Sequence, residues 1–162
     1  MQLLGSGAIL NEVIAAAELL RKDFNVSADI WSVPSFGECR RDGLTVERLN
    51  RLQPEKKPAL CYVEKLLEKQ EGPVIAATDY VRAYADLIRP FVHSSYTTLG
   101  TDGFGRSDTR EQLRHFFEVD RYYIAVTALY ALAQEGKIAT KQVSLALKKY
   151  KIDPKKKASF EL

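Results

Sequence analysis

The segment between residues 99 and 120 combines turn-forming glycines with charged side chains. Asp102 precedes the triplet Gly103-Phe104-Gly105, Arg106 follows it, and Ser107 is a residue type typical of helix N-termini. The glycines let the backbone turn where a Cβ would clash, so the aromatic residue between them is placed to anchor the loop or to make a contact. Because loops at the carboxyl ends of strands carry most contacts of open α/β sheets, we predict a contact loop here.

Carboxylates and arginines near this loop allow further chemistry. Asp79 and Asp102 each follow an apolar run, and two carboxylates at one sheet edge can act as acid and base. Such residues also cap helices and form turns, which is their commoner use. Arg106, Arg110 and Arg114 recur at four-residue spacing, which can bind phosphate. The acidic residues between them favour pairing within the helix or at an interface instead.

A second candidate loop lies near the start of the chain. Gly5, Ser6, Gly7 and Ala8 separate a predicted strand from a predicted helix, where backbone amides can receive an anion. The segment has no third glycine and no P-loop lysine, so neither nucleotide-binding fingerprint is present. A tight strand-to-helix turn and a small anion-binding loop are the two interpretations, and the turn is the simpler one.

Histidine and cysteine are scarce in this chain. Neither His93 nor His115 stands near a nucleophilic serine, a second histidine or a carboxylate at metal-ligand spacing. Cys39 and Cys61 are too few for a disulfide framework or a metal cluster, and they indicate reduced thiols in a cytoplasmic protein. We therefore predict no catalytic residue and no metal site in this chain.

Apolar periodicity predicts alternating strands and helices. Glu12 and Glu18 are expected on the exposed side of the first helix. Thr78 or Asp79, Ser107 and Thr140 are expected to cap the helices that follow them. Strands are predicted at residues 2–4, 27–33, 74–77 and 96–100, and helices at 8–21, 36–41, 46–52, 60–69, 80–88, 107–117, 121–134 and 140–150.

Strands separated by helices predict an α/β fold with a three-layer α/β/α architecture. The short apolar strands fit a mostly parallel sheet of four to five strands that is buried on both faces. The length of 162 residues suits one domain, which we place at residues 1–153, followed by a basic tail at 154–162 with solvated lysines. Because the chain begins in an apparently buried strand, we expect it to be a fragment cut at a domain boundary.

Composition excludes two classes of partner. The net charge of +3 is too small to indicate a nucleic-acid-binding protein. No apolar run approaches the length of a membrane span, so we predict no membrane insertion. Apolar content of 46% and charged content of 28% are ordinary for a globular domain.

Four stretches carry a resemblance to a known family. Residues 101–120, TDGFGRSDTREQLRHFFEVD, closely resemble the C-terminal region of the homodimeric bacterial pyruvate dehydrogenase decarboxylating component, a thiamine-diphosphate enzyme of the transketolase family. Residues 2–7, 29–33 and 72–80 agree with that family in order and spacing, and the resemblance extends over residues 2–153. It implies the transketolase C-terminal fold, whose sheet is mixed and contains one antiparallel strand.

The resemblance also implies a function for the whole enzyme. That enzyme decarboxylates pyruvate, the product of glycolysis, on thiamine diphosphate and magnesium, and passes the acetyl group to the lipoyl group of the dihydrolipoyl acetyltransferase. The family holds its cofactor through a Gly-Asp-Gly segment followed by asparagines. Here Thr101 replaces the first glycine, and the only asparagines are Asn11, Asn25 and Asn50. We therefore expect no cofactor and no catalysis in this fragment.

The role implied for this domain is architectural. It would pack on the N-terminal and middle domains of the same enzyme and extend the homodimer contact. The residues expected at these interfaces are Asp79, Tyr80, Asp102, Phe104, Arg106 and Ser107. Two alternatives remain open: a stand-alone module that binds a small anion through residues 5–8 and the 102–107 loop, and a docking scaffold for the acetyltransferase core.

Overall fold

Four strands form one parallel sheet in the computed structural model, which describes residues 1–161. The spatial order is β2-β1-β3-β4, where β1 is Gln2–Gly5, β2 is Asp29–Ser32, β3 is Val74–Ala77 and β4 is Tyr96–Leu99. The predicted parallel sheet of four to five strands is confirmed. The antiparallel strand expected from the resemblance is not found within residues 1–161, because all three strand pairings there are parallel.

Seven α-helices connect and cover these strands within the described residues. They are α1 (Leu10–Phe24), α2 (Phe36–Leu52), α3 (Tyr62–Leu67), α4 (Arg82–Asp86), α5 (Arg110–Phe116), α6 (Arg121–Gln134) and α7 (Thr140–Lys149). Short 3-10 turns occur at Gly7–Ile9, Arg89–Phe91 and Ser159–Glu161. None of these helices is both long and apolar enough to cross a membrane.

The sheet separates two apolar clusters because successive strand residues point to opposite faces. Leu3 and Ile75 belong to the cluster under α1 and α6, and α7 packs against α6 and contributes Ala146 to the same cluster. Leu4 and Val74 belong to the cluster formed with α2, α3 and α4. This arrangement confirms the predicted three-layer α/β/α architecture.

Helix boundaries differ from the prediction where glycine and capping residues were misread. Helix α2 is continuous, although the sequence predicted two helices at residues 36–41 and 46–52. Gly43 lies in its middle and is buried against the ring of Phe91, so it serves close packing and does not end the helix. Helix α7 begins at Thr140, whose predicted capping role is wrong because Ala139 occupies the N-cap position.

Candidate functional site

The carboxyl ends of β1, β3 and β4 meet at one edge of the sheet. Strand β1 lies between β2 and β3, so the sheet grows in both directions from it. In open α/β sheets such a reversal leaves a crevice in which ligands bind. A cleft of about 580 Å³, which we call the switch-point cleft, opens at this edge; its lining includes Ala8, Asp79, Gly103, Arg106, Arg110 and Leu113.

Two loops at this edge are joined by hydrogen bonds. The backbone N–H of Thr101 donates a hydrogen bond to the carbonyl oxygen of Tyr80 (2.9 Å). The hydroxyl of Thr101 donates a second hydrogen bond to the backbone carbonyl oxygen of Asp79 (2.9 Å). The backbone N–H of Arg82, the first residue of α4, donates to the carboxylate of Asp102 (2.9 Å). Neither Thr78 nor Asp79 caps α4 as predicted, because the carboxylate comes from a loop 20 residues further on.

Phe104 is presented to solvent by a loop that is held on one side. Gly103 adopts φ +105°, and a Cβ there would lie 2.5 Å from the carbonyl oxygen of Ser159. The hydroxyl of Ser159 donates to the carbonyl oxygen of Asp102 (2.6 Å), so the C-terminal turn fastens the loop just before Phe104. The Phe104 side chain itself is 83% exposed.

Arg106 and Ser107 lie on the far side of Phe104. The guanidinium of Arg106 stacks over the ring of Phe116 at 4.2 Å from the ring centre. Ser107 does not cap a helix as predicted; the hydroxyl of Thr109 accepts from the N–H of Gln112 (3.3 Å), and α5 begins at Arg110. Ser and Thr are both good N-cap residues, because either hydroxyl can accept from a free N–H at the helix start, so residue type alone could not distinguish Ser107 from Thr109.

Within residues 154–161, Lys156 brings the C-terminal segment against α5. The ammonium of Lys156 donates to the carbonyl oxygen of Phe116 (2.9 Å) and to the carboxylate of Glu118 (2.9 Å). A cation at the C-terminus of a helix is favoured by the unpaired carbonyls and the helix dipole. The sequence predicted solvated lysines in the tail. This prediction is confirmed for Lys155 and Lys157, which are exposed, and it is wrong for Lys156.

The loop of Gly5, Ser6, Gly7 and Ala8 forms a tight turn into α1. Gly7 has φ +57°, and a Cβ there would lie 3.3 Å from a carboxylate oxygen of Asp79. A carboxylate beside this turn disfavours an anion at the amides of Gly7. Of these four residues, only Ala8 lines the switch-point cleft.

A buried carboxylate that sequence reasoning missed anchors one wall of the cleft. Glu12 in α1 was expected to be exposed, yet it is only 4% exposed. Its carboxylate accepts hydrogen bonds from the backbone N–H of Arg121 (3.0 Å) and from the guanidinium of the same residue (2.9 and 3.0 Å). It accepts a further hydrogen bond from the guanidinium of Arg114 (2.9 Å). Burial raises the pKa of Glu12, but the hydrogen bonds and charges of the two arginines outweigh burial and leave that pKa below its usual value.

Asp120 was also missed as a capping residue. One carboxylate oxygen accepts from the N–H groups of Tyr122 and Tyr123 (both 2.9 Å), which caps α6. The other oxygen lies 3.0 Å from Nδ1 of His115. The signal was available in the sequence, because Asp is a preferred N-cap residue and Asp120 directly precedes the predicted helix.

The geometry around Asp102 does not fit a magnesium-diphosphate site. One carboxylate oxygen of Asp102 accepts from the N–H of Arg82, and the other lies 3.5 Å from Nε of the same residue. This carboxylate is therefore committed to an arginine. Within residues 1–161, no group of three or more His, Cys, Asp or Glu side chains is arranged to hold a metal ion.

Comparison with known proteins places the chain in a family. Over 156 residues it is 60% identical to the pyruvate dehydrogenase E1 component of Cupriavidus necator, covering 96% of this chain and 17% of that protein. It is likewise 60% identical over 158 residues to the Pseudomonas aeruginosa protein of that name (97% and 18%), and 48% identical over 157 residues to the Escherichia coli K12 protein (96% and 18%). The chain thus spans less than a fifth of the length of these relatives.

A solved structure and a family profile agree with this fold. A chain described as "Split gene transketolase, inactive beta4 tetramer" superposes with a TM-score of 0.53 at 13% identity, covering 82% of this chain and 39% of that one. The profile described as "Transketolase-like TK C-terminal domain" matches residues 1–120. The parallel sheet, the helix layers and this match together show that the chain belongs to the family of transketolase-like C-terminal domains.

Proposed function

We propose that this chain is the C-terminal, non-catalytic domain of a pyruvate dehydrogenase (acetyl-transferring). The proposal is supported by 60% identity to two proteins of that name over nearly all of this chain. In the whole enzyme, pyruvate is decarboxylated on thiamine diphosphate and magnesium held by other domains, and the acetyl group passes to the dihydrolipoyl acetyltransferase. Residues 1–153 form the domain and residues 154–162 its basic tail.

The domain's role is to pack against the N-terminal and middle domains and to extend the homodimer contact. The observation that carries this role is Phe104, an aromatic side chain exposed on a loop whose backbone is fastened by Ser159. Tyr80 and Phe160, which flank this loop, are also largely exposed, at 58% and 61%. Large apolar side chains exposed together are typical of protein interfaces.

The polar residues around Phe104 supply the rest of the interface. Asp79, Asp102, Arg106 and Ser107 lie at the same sheet edge, and the guanidinium of Arg106 makes no ion pair within residues 1–161. We propose that Arg106 pairs with a carboxylate of a neighbouring domain. We propose a cytoplasmic location, which is supported by the free thiols of Cys39 and Cys61, because such thiols persist in a reducing compartment.

The test is Phe104→Ala in the full-length enzyme. Truncation of an aromatic interface anchor should weaken dimerisation at least about tenfold or lower activity, because hot-spot anchors contribute about 2 kcal/mol or more. Sedimentation and pyruvate turnover measure the two effects. Leu52→Ala is the matched control, since Leu52 is a similarly exposed apolar residue at the end of α2. Wild-type assembly and activity in the Phe104 variant would contradict the proposal.

A further inference from the structure

The switch-point cleft contains two arginines without a carboxylate partner. Within residues 1–161, no carboxylate lies within 4.0 Å of the guanidinium of Arg106 or Arg110, whereas Arg114 beside them is bound to Glu12. The guanidinium group is a planar fork of donors that matches carboxylate and phosphate oxygens. Two arginines that line one concavity make it attractive to an anion.

The other walls of the cleft differ in character. Leu113, Phe117 and Val119 supply an apolar surface next to the arginines. Asp79 lines the cleft as well, and its side-chain carboxylate accepts no hydrogen bond from residues 1–161. Cofactor and metabolite pockets commonly combine such an apolar lining with a few convergent polar groups, which fix the orientation of the bound molecule.

The backbone of Arg110 is held in place because α5 is fixed to α1. Arg110 is the first residue of α5, and α5 is fixed to α1 by the hydrogen bond from Arg114 to the buried carboxylate of Glu12 (2.9 Å). Arg106 is oriented by stacking on Phe116, which lies on the same helix. The backbone of Arg110 and the guanidinium of Arg106 are therefore both held in place, and less conformational entropy is lost when an anion binds.

We propose that the switch-point cleft binds a small organic anion that has an apolar body. Arg106 and Arg110 receive its phosphate or carboxylate group, and Leu113 and Phe117 contact its apolar part. Asp79 accepts a hydrogen bond from a hydroxyl or amine of the ligand. The site is distinct from the glycine turn at residues 5–8, where the carboxylate of Asp79 disfavours an anion. The ligand and the neighbouring-domain carboxylate proposed above compete for Arg106, whereas Arg110 belongs to the ligand site only.

The test uses phenyl phosphate and inorganic phosphate as probes, titrated calorimetrically into the 162-residue chain. Phenyl phosphate should bind more tightly than inorganic phosphate because of the apolar wall. Arg110→Gln should weaken phenyl phosphate binding at least about tenfold, since a charge-assisted hydrogen bond is lost. Arg48→Gln, an exposed arginine on α2, is the matched control and should change the affinity less than about twofold.

Two further variants separate the walls of the site. Asp79→Asn should strengthen the binding of both probes, because it removes a negative charge from the cleft. Leu113→Ala should lower the affinity for phenyl phosphate toward the affinity for inorganic phosphate. Thermal unfolding of each variant verifies that the fold is retained.

Three results would overturn the proposal. One is equal affinity in the Arg110 and Arg48 variants, and another is no binding of phenyl phosphate below about 10 mM. The third is binding by the 162-residue chain that disappears in the full-length polypeptide, which would mean that a neighbouring domain occupies the two arginines. Loss of dimerisation in Phe104→Ala tests the architectural role separately, so failure of one proposal is distinguishable from failure of the other.

Discussion

The carboxylate of Glu12 in α1 binds the backbone N–H and the guanidinium of Arg121 at the start of α6, across 109 positions of sequence. This pair joins the first helix of the chain to the helix that covers the same face of the sheet. Arg114 adds a third element, α5, to the same carboxylate. The wall of the switch-point cleft thus depends on one buried acidic side chain.

Glu12→Gln should lower the free energy of unfolding by about 2 kcal/mol. The loss is smaller than for a fully buried pair because the side chain of Arg121 is 43% exposed, and water compensates part of its charge. Urea unfolding measures the change. Glu18→Gln, on the exposed side of the same helix, is the control and should shift stability by less than about 0.5 kcal/mol. Equal effects of the two variants would contradict the role of Glu12.

Stability should fall in acid because several carboxylates have lowered pKa values. Hydrogen bonding by Lys149 lowers the pKa of Asp23; burial raises that of Glu64, but hydrogen bonds from Cys61 and His93 outweigh burial. The pKa of Glu12 is also lowered. A carboxylate with a depressed folded pKa stabilises the fold fully above its unfolded value, near 4.5 for Glu and 3.8 for Asp, and this contribution is lost as the pH falls through the folded pKa.

The measurement is urea unfolding at a series of pH values below about 6. Asp23→Asn should give a shallower decline than the unmodified chain, because one of the titrating contributions has been removed. Glu55→Gln is the control, since Glu55 is exposed in the connection after α2 and makes no ion pair within residues 1–161. A decline that is identical in all three proteins would refute the assignment to Asp23.

Two glycines of α2 should respond to alanine with opposite signs. A Cβ at Gly43 would overlap the ring of Phe91, so Gly43→Ala should destabilise by about 1–3 kcal/mol through overpacking. A Cβ at Gly37 would lie 3.6 Å from the hydroxyl of Tyr84, an ordinary contact. Gly37→Ala should therefore stabilise by up to about 1 kcal/mol through helix propensity. Thermal unfolding of both variants tests the pair. Stabilisation by Gly43→Ala would contradict the close packing at Gly43, and destabilisation by Gly37→Ala would contradict the open space at Gly37.

The two glycines that flank Phe104 form a second matched pair. Gly103→Ala places a Cβ against the carbonyl oxygen of Ser159 at a positive φ, so the C-terminal turn should detach from the loop. A Cβ at Gly105 meets no atom within 4 Å among the residues described, and Gly105→Ala should leave the turn in place. Trypsin cleavage after Lys157 should be accelerated in the first variant only.

The alternation of elements was predictable because it rests on local periodicity. Short apolar runs such as Val74–Ala77 are buried on both faces, and this pattern is typical of parallel strands flanked by helices. Propensity and pattern act over a few residues, so helix α6 was predicted with the bounds that the structure shows, 121–134. The resemblance to a known family predicted the fold correctly but added an antiparallel strand that residues 1–161 do not contain.

Contacts between distant residues could not be read from the same patterns. The cap of α4 comes from Asp102, 20 residues away, and the partner of Glu12 is 109 residues away. Nothing near Glu12 in sequence distinguishes it from Glu18. The carboxylate becomes buried only because α5 and α6 bring two arginines to it, which is a consequence of topology.

The sheet edge at which the candidate site residues lie was predictable, but the contacts that hold them there were not. The sequence indicated that Asp79, Asp102 and Arg106 would meet at a sheet edge, and they lie around the same two loops. The sequence did not predict that the C-terminal turn fastens the loop before Phe104. A lysine-rich segment is ordinarily solvated, and only the fold brings Ser159 to the carbonyl oxygen of Asp102. Interface roles for these residues remain predictions.

The sheet keeps the apolar cluster beneath α1 and α6 apart from the cluster beneath α2, α3 and α4. Side chains on opposite faces of a strand share backbone but few neighbours, so the energetic effects of changes on the two sides should combine by simple addition. One side could therefore diverge in sequence without forcing compensating changes across the sheet. Such independence would let a domain of this kind adapt one helical layer to a new neighbour while the opposite layer continues to hold the strands together.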